Sequence, residues 1–98
     1  EALTSPEFVT RVVSALSPQV YISIDLDVLD PSIMSAVGTP EPGGLSWQQV
    51  LDLLRAVASS KQIVGFDLVE LCPREGPNSC SFLAAKLAYK LVGYATST

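Results

Sequence analysis

Histidine is absent from the 98-residue sequence, and only two cysteines are present. Because no imidazole is available, neither Cys72 nor Cys80 has the partner that usually activates a catalytic thiol. Two cysteines are also too few for a disulfide scaffold, so we expect both thiols to be reduced. These scarcities argue against a thiol nucleophile and against a small secreted domain stapled by disulfides.

Basic residues are also scarce, with six Lys and Arg against ten Asp and Glu, which gives a formal net charge of −4. This balance argues against nucleic acid and against an anionic membrane surface as partners. The sequence has no signal-peptide pattern and no apolar run long enough to cross a bilayer. We therefore expect a cytoplasmic protein, or a mitochondrial one in a eukaryote. The first residue is Glu1, so we also expect a processed product or a piece of a longer chain.

Hydrophobic residues make up 48% of the chain and charged residues 16%, which is the composition of one small globular domain. Two short apolar segments, "QVYISI" and "QIVGFDLVEL", are typical of buried parallel strands. They alternate with three segments of helical periodicity, "TSPEFVTRVVSALSP", "SWQQVLDLLRAVASS" and "SFLAAKLAYKLVGY". This order predicts an α/β fold with a parallel sheet, but two strands do not complete a doubly wound sheet.

Capping residues and apolar stripes define the predicted helices. Thr4 with Glu7, and Ser46 with Gln49, fit the capping-box pattern at the first two helix starts. Trp47 is expected in the core. On the closing helix we expect the buried side to carry Phe82, Leu83, Leu87, Leu91 and Val92.

The first strand runs directly into three aspartates in the stretch "YISIDLDVLDPS". If the strand persists through Asp27, then Asp25 and Asp27 point to the same side, at the sheet edge where ligands bind. Neighbouring carboxylates repel unless a cation lies between them, and Mg²⁺ or Mn²⁺ suits oxygen ligands. Asp30 precedes Pro31, so it is expected to be a turn residue. The alternative for Asp25 and Asp27 is a solvated strand end.

A phosphatase of the haloacid-dehalogenase-like type is one chemistry that uses such a pair. In that interpretation Asp25 would attack phosphorus and Asp27 would protonate the leaving group. The family also needs a later lysine and a later acidic pair, and Lys61 precedes its strand instead of following it.

Two longer motifs resemble a different family. "SIDLDVLDPSIMSAVGTPEPGGLSW" is similar to the C-terminal signature of the ureohydrolases, the arginase and agmatinase family, and "GFDLVELCP" resembles a later strand of that family. The resemblance implies a three-layer α/β/α parallel sheet of the arginase type. Residues 1–98 would be the C-terminal segment of a single ureohydrolase domain.

The resemblance also implies a site for hydrolysis of a guanidino C–N bond to urea and an amine. Two manganese ions would share a bridging hydroxide, with Asp25 bound to both metals and Asp27 to one. Glu70 matches the carboxylate that pairs with the substrate guanidinium. Thr39, in the G-T-P turn, matches a position near the pocket and would contact the substrate.

The implied metal cage has six ligands, two histidines and four aspartates, and this sequence carries only two of the aspartates. We therefore expect the chain alone to be incomplete and inactive, with the missing N-terminal segment as its partner and a homo-oligomer as the complete form. "GTPEPGGL" favours an agmatinase-like enzyme of polyamine biosynthesis, while arginine and other guanidino substrates stay open. A non-catalytic fragment or oligomerisation module of the same fold is the alternative.

Overall fold

The computed structural model describes residues 5–37 and 43–96, and its elements follow one another in the predicted order. The helices are α1 (Pro6–Ala15), α2 (Trp47–Ser60) and α3 (Asn78–Thr96), and the strands are β1 (Gln19–Asp25) and β2 (Gln62–Val69). A short 3₁₀ turn follows each strand, at Leu26–Val28 and at Pro73–Glu75. The predicted alternation of helices and strands is confirmed.

The two strands pair side by side in parallel, as their apolar composition predicts. One face of this pair carries Ile22 and Ile24 of β1 and Phe66 and Leu68 of β2, which pack into a core with residues of α2 and α3. The opposite face of β1 exposes Tyr21, Ser23 and Asp25, because side chains alternate along a strand. The helices of the described part therefore cover the face that carries Ile24.

The helix starts follow capping chemistry. Ser46 and Gln49 form the predicted capping box at α2. The Ser46 hydroxyl accepts the Gln49 N–H at 3.1 Å, and the Gln49 side-chain oxygen accepts the Ser46 N–H at 2.9 Å. At α1 the capping residue is Ser5, whose hydroxyl accepts the Phe8 N–H at 3.2 Å. The predicted cap Thr4 lies outside the described residues. Trp47 is partly buried against the core.

The buried side of α3 differs from the prediction. Leu87 and Leu91 are fully buried, and Leu83 packs against the core. The predictions for Phe82 and Val92 were wrong, since these side chains are 77% and 49% exposed. The buried stripe instead includes Cys80 and Ala84, which lie on the same helical face as Leu87 and Leu91. No helix in the described part of the chain has both the length and the apolar character needed to cross a membrane.

The long segment after β1 is anchored to the core at several points. Met34, Ala36 and Val37 are buried, and Leu29 forms an isolated parallel bridge with Leu45 just before α2. Val37 pairs with Leu71, just beyond the end of β2. These contacts hold the segments that follow β1 and β2 against each other at the carboxyl edge of the sheet.

Candidate functional site

Asp25 is the last residue of β1 and the N-cap of the 3₁₀ turn that follows. One of its carboxylate oxygens accepts the Asp27 N–H at 3.2 Å. This capping bond turns the chain, so the strand ends at Asp25 and the condition for Asp25 and Asp27 to point to the same side is not met. The two aspartates are joined by a side-chain to backbone bond and do not occupy alternate positions of one strand.

Both aspartates lie at the carboxyl edge of the sheet, where Asp25 is exposed and Asp27 is partly buried. Their carboxylate oxygens are the donors that a hard cation such as Mn²⁺ takes, so the donor chemistry fits the implied metal. Among residues 5–37 and 43–96, no three His, Cys, Asp or Glu side chains gather closely enough to hold a metal ion. A metal ion held by this pair would therefore need further ligands from outside the described residues.

Glu70 follows β2 directly, and its backbone has a φ of 73°. Asp25 pairs with Val69 on the neighbouring strand, so Glu70 lies one residue beyond the position opposite Asp25. A positive φ is unfavourable for a residue with a Cβ, and such strain concentrates at functional sites. The sequence located Glu70 at the strand end but gave no sign of its backbone conformation.

Asp30 is the turn residue that the sequence predicts, and it also reaches across the loop. Its carboxylate accepts the Ser32 N–H at 3.0 Å and the Gly43 N–H at 3.1 Å. These hydrogen bonds, chiefly those from Ser32, lower the pKa of the Asp30 carboxyl. The bond to Gly43 closes the base of the loop, and nothing in the turn pattern predicts it. Thr39, the predicted substrate contact within this loop, lies outside the described residues.

A second polar cluster occupies the exposed face of the sheet. Asp67 accepts a hydrogen bond from the Ser23 hydroxyl at 2.6 Å and another from the Tyr21 hydroxyl at 2.8 Å. These two donors, Ser23 first, lower the pKa of the Asp67 carboxyl, and the bond to Asp67 raises the pKa of Tyr21. Sequence reasoning assigned no role to this trio. The alternation that places Tyr21, Ser23 and Asp25 on one face could have indicated it.

The lowered pKa values predict that this chain loses stability in acid. A carboxyl whose folded pKa is depressed stabilises the fold above its unfolded pKa, and that contribution disappears as the pH falls through the folded value. We expect the free energy of unfolding, measured by urea denaturation, to decrease as the pH falls below about 4. The variant Asp67→Asn should show a shallower decrease, because one of the titrating groups is gone. Parallel pH curves for variant and wild type would contradict the prediction for Asp67.

Comparison with known proteins identifies the family to which this arrangement belongs. The sequence model of the Arginase family matches residues 3–93. The chain belongs to the Arginase family. This membership decides against the haloacid-dehalogenase-like alternative, and the fold is a part of the arginase-type α/β fold.

Curated relatives of this Arginase-family chain are ureohydrolases. The chain is 43% identical over 95 residues to the N(1)-aminopropylagmatine ureohydrolase of Synechocystis sp., a match that covers 96% of the chain and 31% of the relative. Its identity to the enzyme of that name from Thermus thermophilus is 52% over 83 residues, which covers 85% of the chain and 28% of the relative.

The fold agrees with a solved structure from the same group. Proclavaminate amidino hydrolase from Streptomyces clavuligerus superposes with a TM-score of 0.80 at 36% identity, covering 89% of this chain and 30% of that one. The chain therefore spans about 30% of the length of the proteins that it matches.

Proposed function

We propose that this chain is the C-terminal part of a manganese-dependent ureohydrolase, which hydrolyses a guanidino C–N bond to release urea and an amine. The observation that carries the proposal is the convergence of Asp25, Asp27 and Glu70 at the carboxyl ends of two adjacent parallel strands. In α/β sheets this edge is where ligands bind. The ureohydrolase names of the relatives support the same reaction.

Asp25 and Asp27 are the residues of this chain that would hold manganese. Bound manganese would supply a water of lowered pKa as the nucleophile for the guanidinium carbon. Glu70 would pair with the guanidinium, whose planar array of N–H donors matches a carboxylate through two parallel hydrogen bonds. Thr39 is proposed as a further substrate contact. Water adds to the guanidinium carbon, the C–N bond to the alkyl amine breaks, and the amine leaves with a proton.

The charge at this edge favours a cationic substrate without a carboxylate. Manganese would offset the charges of Asp25 and Asp27. Among the other described charged side chains shortly after the two strands, Asp30, Glu70 and Glu75 are acidic and Arg74 is basic. The remaining negative charge attracts a diamine-type guanidine such as agmatine and disfavours the α-carboxylate of arginine. We therefore propose agmatine or N(1)-aminopropylagmatine as the substrate, the second because two of the relatives bear its name.

An apolar groove beside β1 supports the prediction that another segment completes the sheet. The groove has a volume of about 440 Å³ and runs along β1 between α1 and α2, with Val12, Leu16, Leu53 and Val57 among its lining residues. In the described part of the chain β1 pairs with β2 alone, so one row of its backbone groups has no strand partner. We propose that a strand from the missing N-terminal segment fills this groove and brings the remaining metal ligands beside Asp25, which lines one end of the groove.

The test compares the intact protein with the 98-residue chain alone. Each is supplied with Mn²⁺ and with agmatine, N(1)-aminopropylagmatine or arginine, and urea release and Mn²⁺ binding are measured. We expect the intact protein to release urea, and the chain alone to bind Mn²⁺ weakly and release none. Tight binding of two Mn²⁺ with urea release by the chain alone would show that it is complete.

The alternative, a non-catalytic oligomerisation module, gives a different outcome in the same experiment. An intact protein that assembles into oligomers yet releases no urea from any of the three guanidines would favour that alternative. Retention of Asp25, Asp27 and Glu70 together is the observation against it.

A further inference from the structure

The two strands are not in simple register along their whole length. Val20 pairs with Ile63, and the next residue, Tyr21, pairs with Gly65, so Val64 is an extra residue in β2. The pairing is then regular up to Asp25 opposite Val69. An extra residue of this kind shifts every later pair by one position, and such irregularities are frequent beside active sites.

The position of this extra residue decides where Asp25 lies relative to Glu70. If the shift occurred beyond Asp25 instead of before Tyr21, Asp25 would lie opposite Leu68 and not opposite Val69. Glu70 would then lie one residue, or about 3.3 Å, further along the sheet from Asp25. The site proposed above depends on the separation of these two carboxylates, since one would bind metal and the other would bind substrate.

The side chains of Tyr21, Ser23 and Asp67 bridge the strands directly after the shift. The Tyr21 and Ser23 hydroxyls donate to the two different carboxylate oxygens of Asp67, so both oxygens are engaged with β1. The Tyr21 ring lies over Gly65, where an added Cβ would come within 3.0 Å of two ring carbons. A side chain at position 65 would push the ring by a few tenths of an ångström, so glycine there lets the ring lie where its hydroxyl reaches Asp67.

We infer that Tyr21, Ser23 and Asp67 form a register lock, which holds the extra residue at Val64 and so sets the spacing between Asp25 and Glu70. The three are positioning residues, since their bonds join them to one another and they act through Asp25 and Glu70. Ile63 is buried beside Val20, and Phe66 and Leu68 face the core with Ile22 and Ile24, so the apolar pattern requires an extra residue between Ile63 and Phe66. The lock adds directed hydrogen bonds that hold the extra residue there, on the amino side of Asp67. This inference rests on the proposed function.

The test uses three variants of the intact protein with Mn²⁺ and agmatine. Asp67→Ala removes both bridges, and we expect kcat to fall at least about 100-fold, with Mn²⁺ content changed much less. A displacement of about an ångström already costs that much rate, and a change of register would move Glu70 by about 3.3 Å relative to Asp25. Asp67→Asn should restore most of kcat, since hydroxyl groups can accept from the amide N–H as well as donate to its oxygen.

Gln19→Ala is the matched control. It removes another side-chain bond between the same strands, Gln19 to Gln62 at 3.2 Å, on the amino side of the extra residue. We expect this variant to keep kcat within about twofold of wild type, because surface hydrogen bonds contribute little and the later pairs keep their register. Wild-type kcat in Asp67→Ala, or an equal loss in Gln19→Ala, would overturn the inference.

The register can also be read independently of activity. A crystal structure of Asp67→Ala should show the shift between β1 and β2 displaced from the Val20 and Tyr21 positions, or spread over several. If the pairing of Tyr21 with Gly65 and of Asp25 with Val69 persists in that structure, the inference of a register lock is wrong, whatever the activity. If wild-type protein releases no urea while the register of Asp67→Ala moves, the lock holds and the proposed function fails.

Discussion

Asparagine in place of Asp25 is expected to lower urea release by the intact protein at least about 100-fold and to weaken Mn²⁺ binding. Changes to residues that merely orient metal ligands cost about 10- to 100-fold, so loss of a charged ligand should cost no less. The amide oxygen of Asn can still accept the Asp27 N–H that Asp25 accepts at 3.2 Å, so the 3₁₀ turn should persist. The loss would therefore report the missing charge and not a broken turn. Urea release and calorimetric Mn²⁺ titration are the measurements.

Asp30→Asn is the matched control for Asp25→Asn. It makes the same chemical change five residues along, at a side chain whose bonds to Ser32 and Gly43 serve the loop. Because the amide oxygen can retain an acceptor bond there, we expect urea release to stay within about threefold of wild type. Unchanged Mn²⁺ affinity in Asp25→Asn would show that Asp25 is not a metal ligand.

The order of helices and strands could be predicted because local pattern and tertiary packing agree in this chain. The β-branched runs around Ile22 and Val64 became parallel strands, and the Ser46–Gln49 capping box starts α2 as expected. The closing helix was predicted less well, since nearly all of its apolar positions fit some helical face. Periodicity alone did not separate Phe82, which is exposed, from Ala84, which is buried.

The candidate site was predictable in residue type but not in geometry. The motifs located Asp25, Asp27 and Glu70, and the strand order places Asp25 and Glu70 at one edge. The capping bond that ends β1 at Asp25 was not predicted, although aspartate is disfavoured in strands and favoured at caps, because the apolar Leu26 between the two aspartates also fits the alternation of a strand. The lock around Asp67 joins residues 44 and 46 positions apart in sequence, and their pairing depends on the register between the two strands, which the pattern of one strand alone does not give.

Substitution of Glu70 is expected to change stability and activity in opposite directions. Glu70 is exposed and has a φ of 73°, a conformation that costs a residue with a Cβ about 1–2 kcal/mol relative to glycine. Glu70→Gly removes that cost but also increases the entropy of the unfolded chain by roughly 0.5–1 kcal/mol. We expect a net rise of up to about 1 kcal/mol in the free energy of unfolding, measured by urea denaturation. Its matched control is Glu75→Gly, at an exposed glutamate without a positive φ. This variant should not raise the free energy of unfolding.

The same variant should lose turnover of guanidino substrates. A carboxylate that accepts two charge-assisted hydrogen bonds contributes about 1.5–3 kcal/mol through each, so its removal should lower kcat/KM by at least about 100-fold. Glu70→Gln keeps the shape and the strained backbone but not the charge, so it should lose activity without the gain in stability. This pair of variants separates the two roles of residue 70. Greater stability of Glu70→Gly with unchanged urea release would contradict a role for Glu70 in substrate binding, because a strained residue without a function can be replaced at no loss of activity.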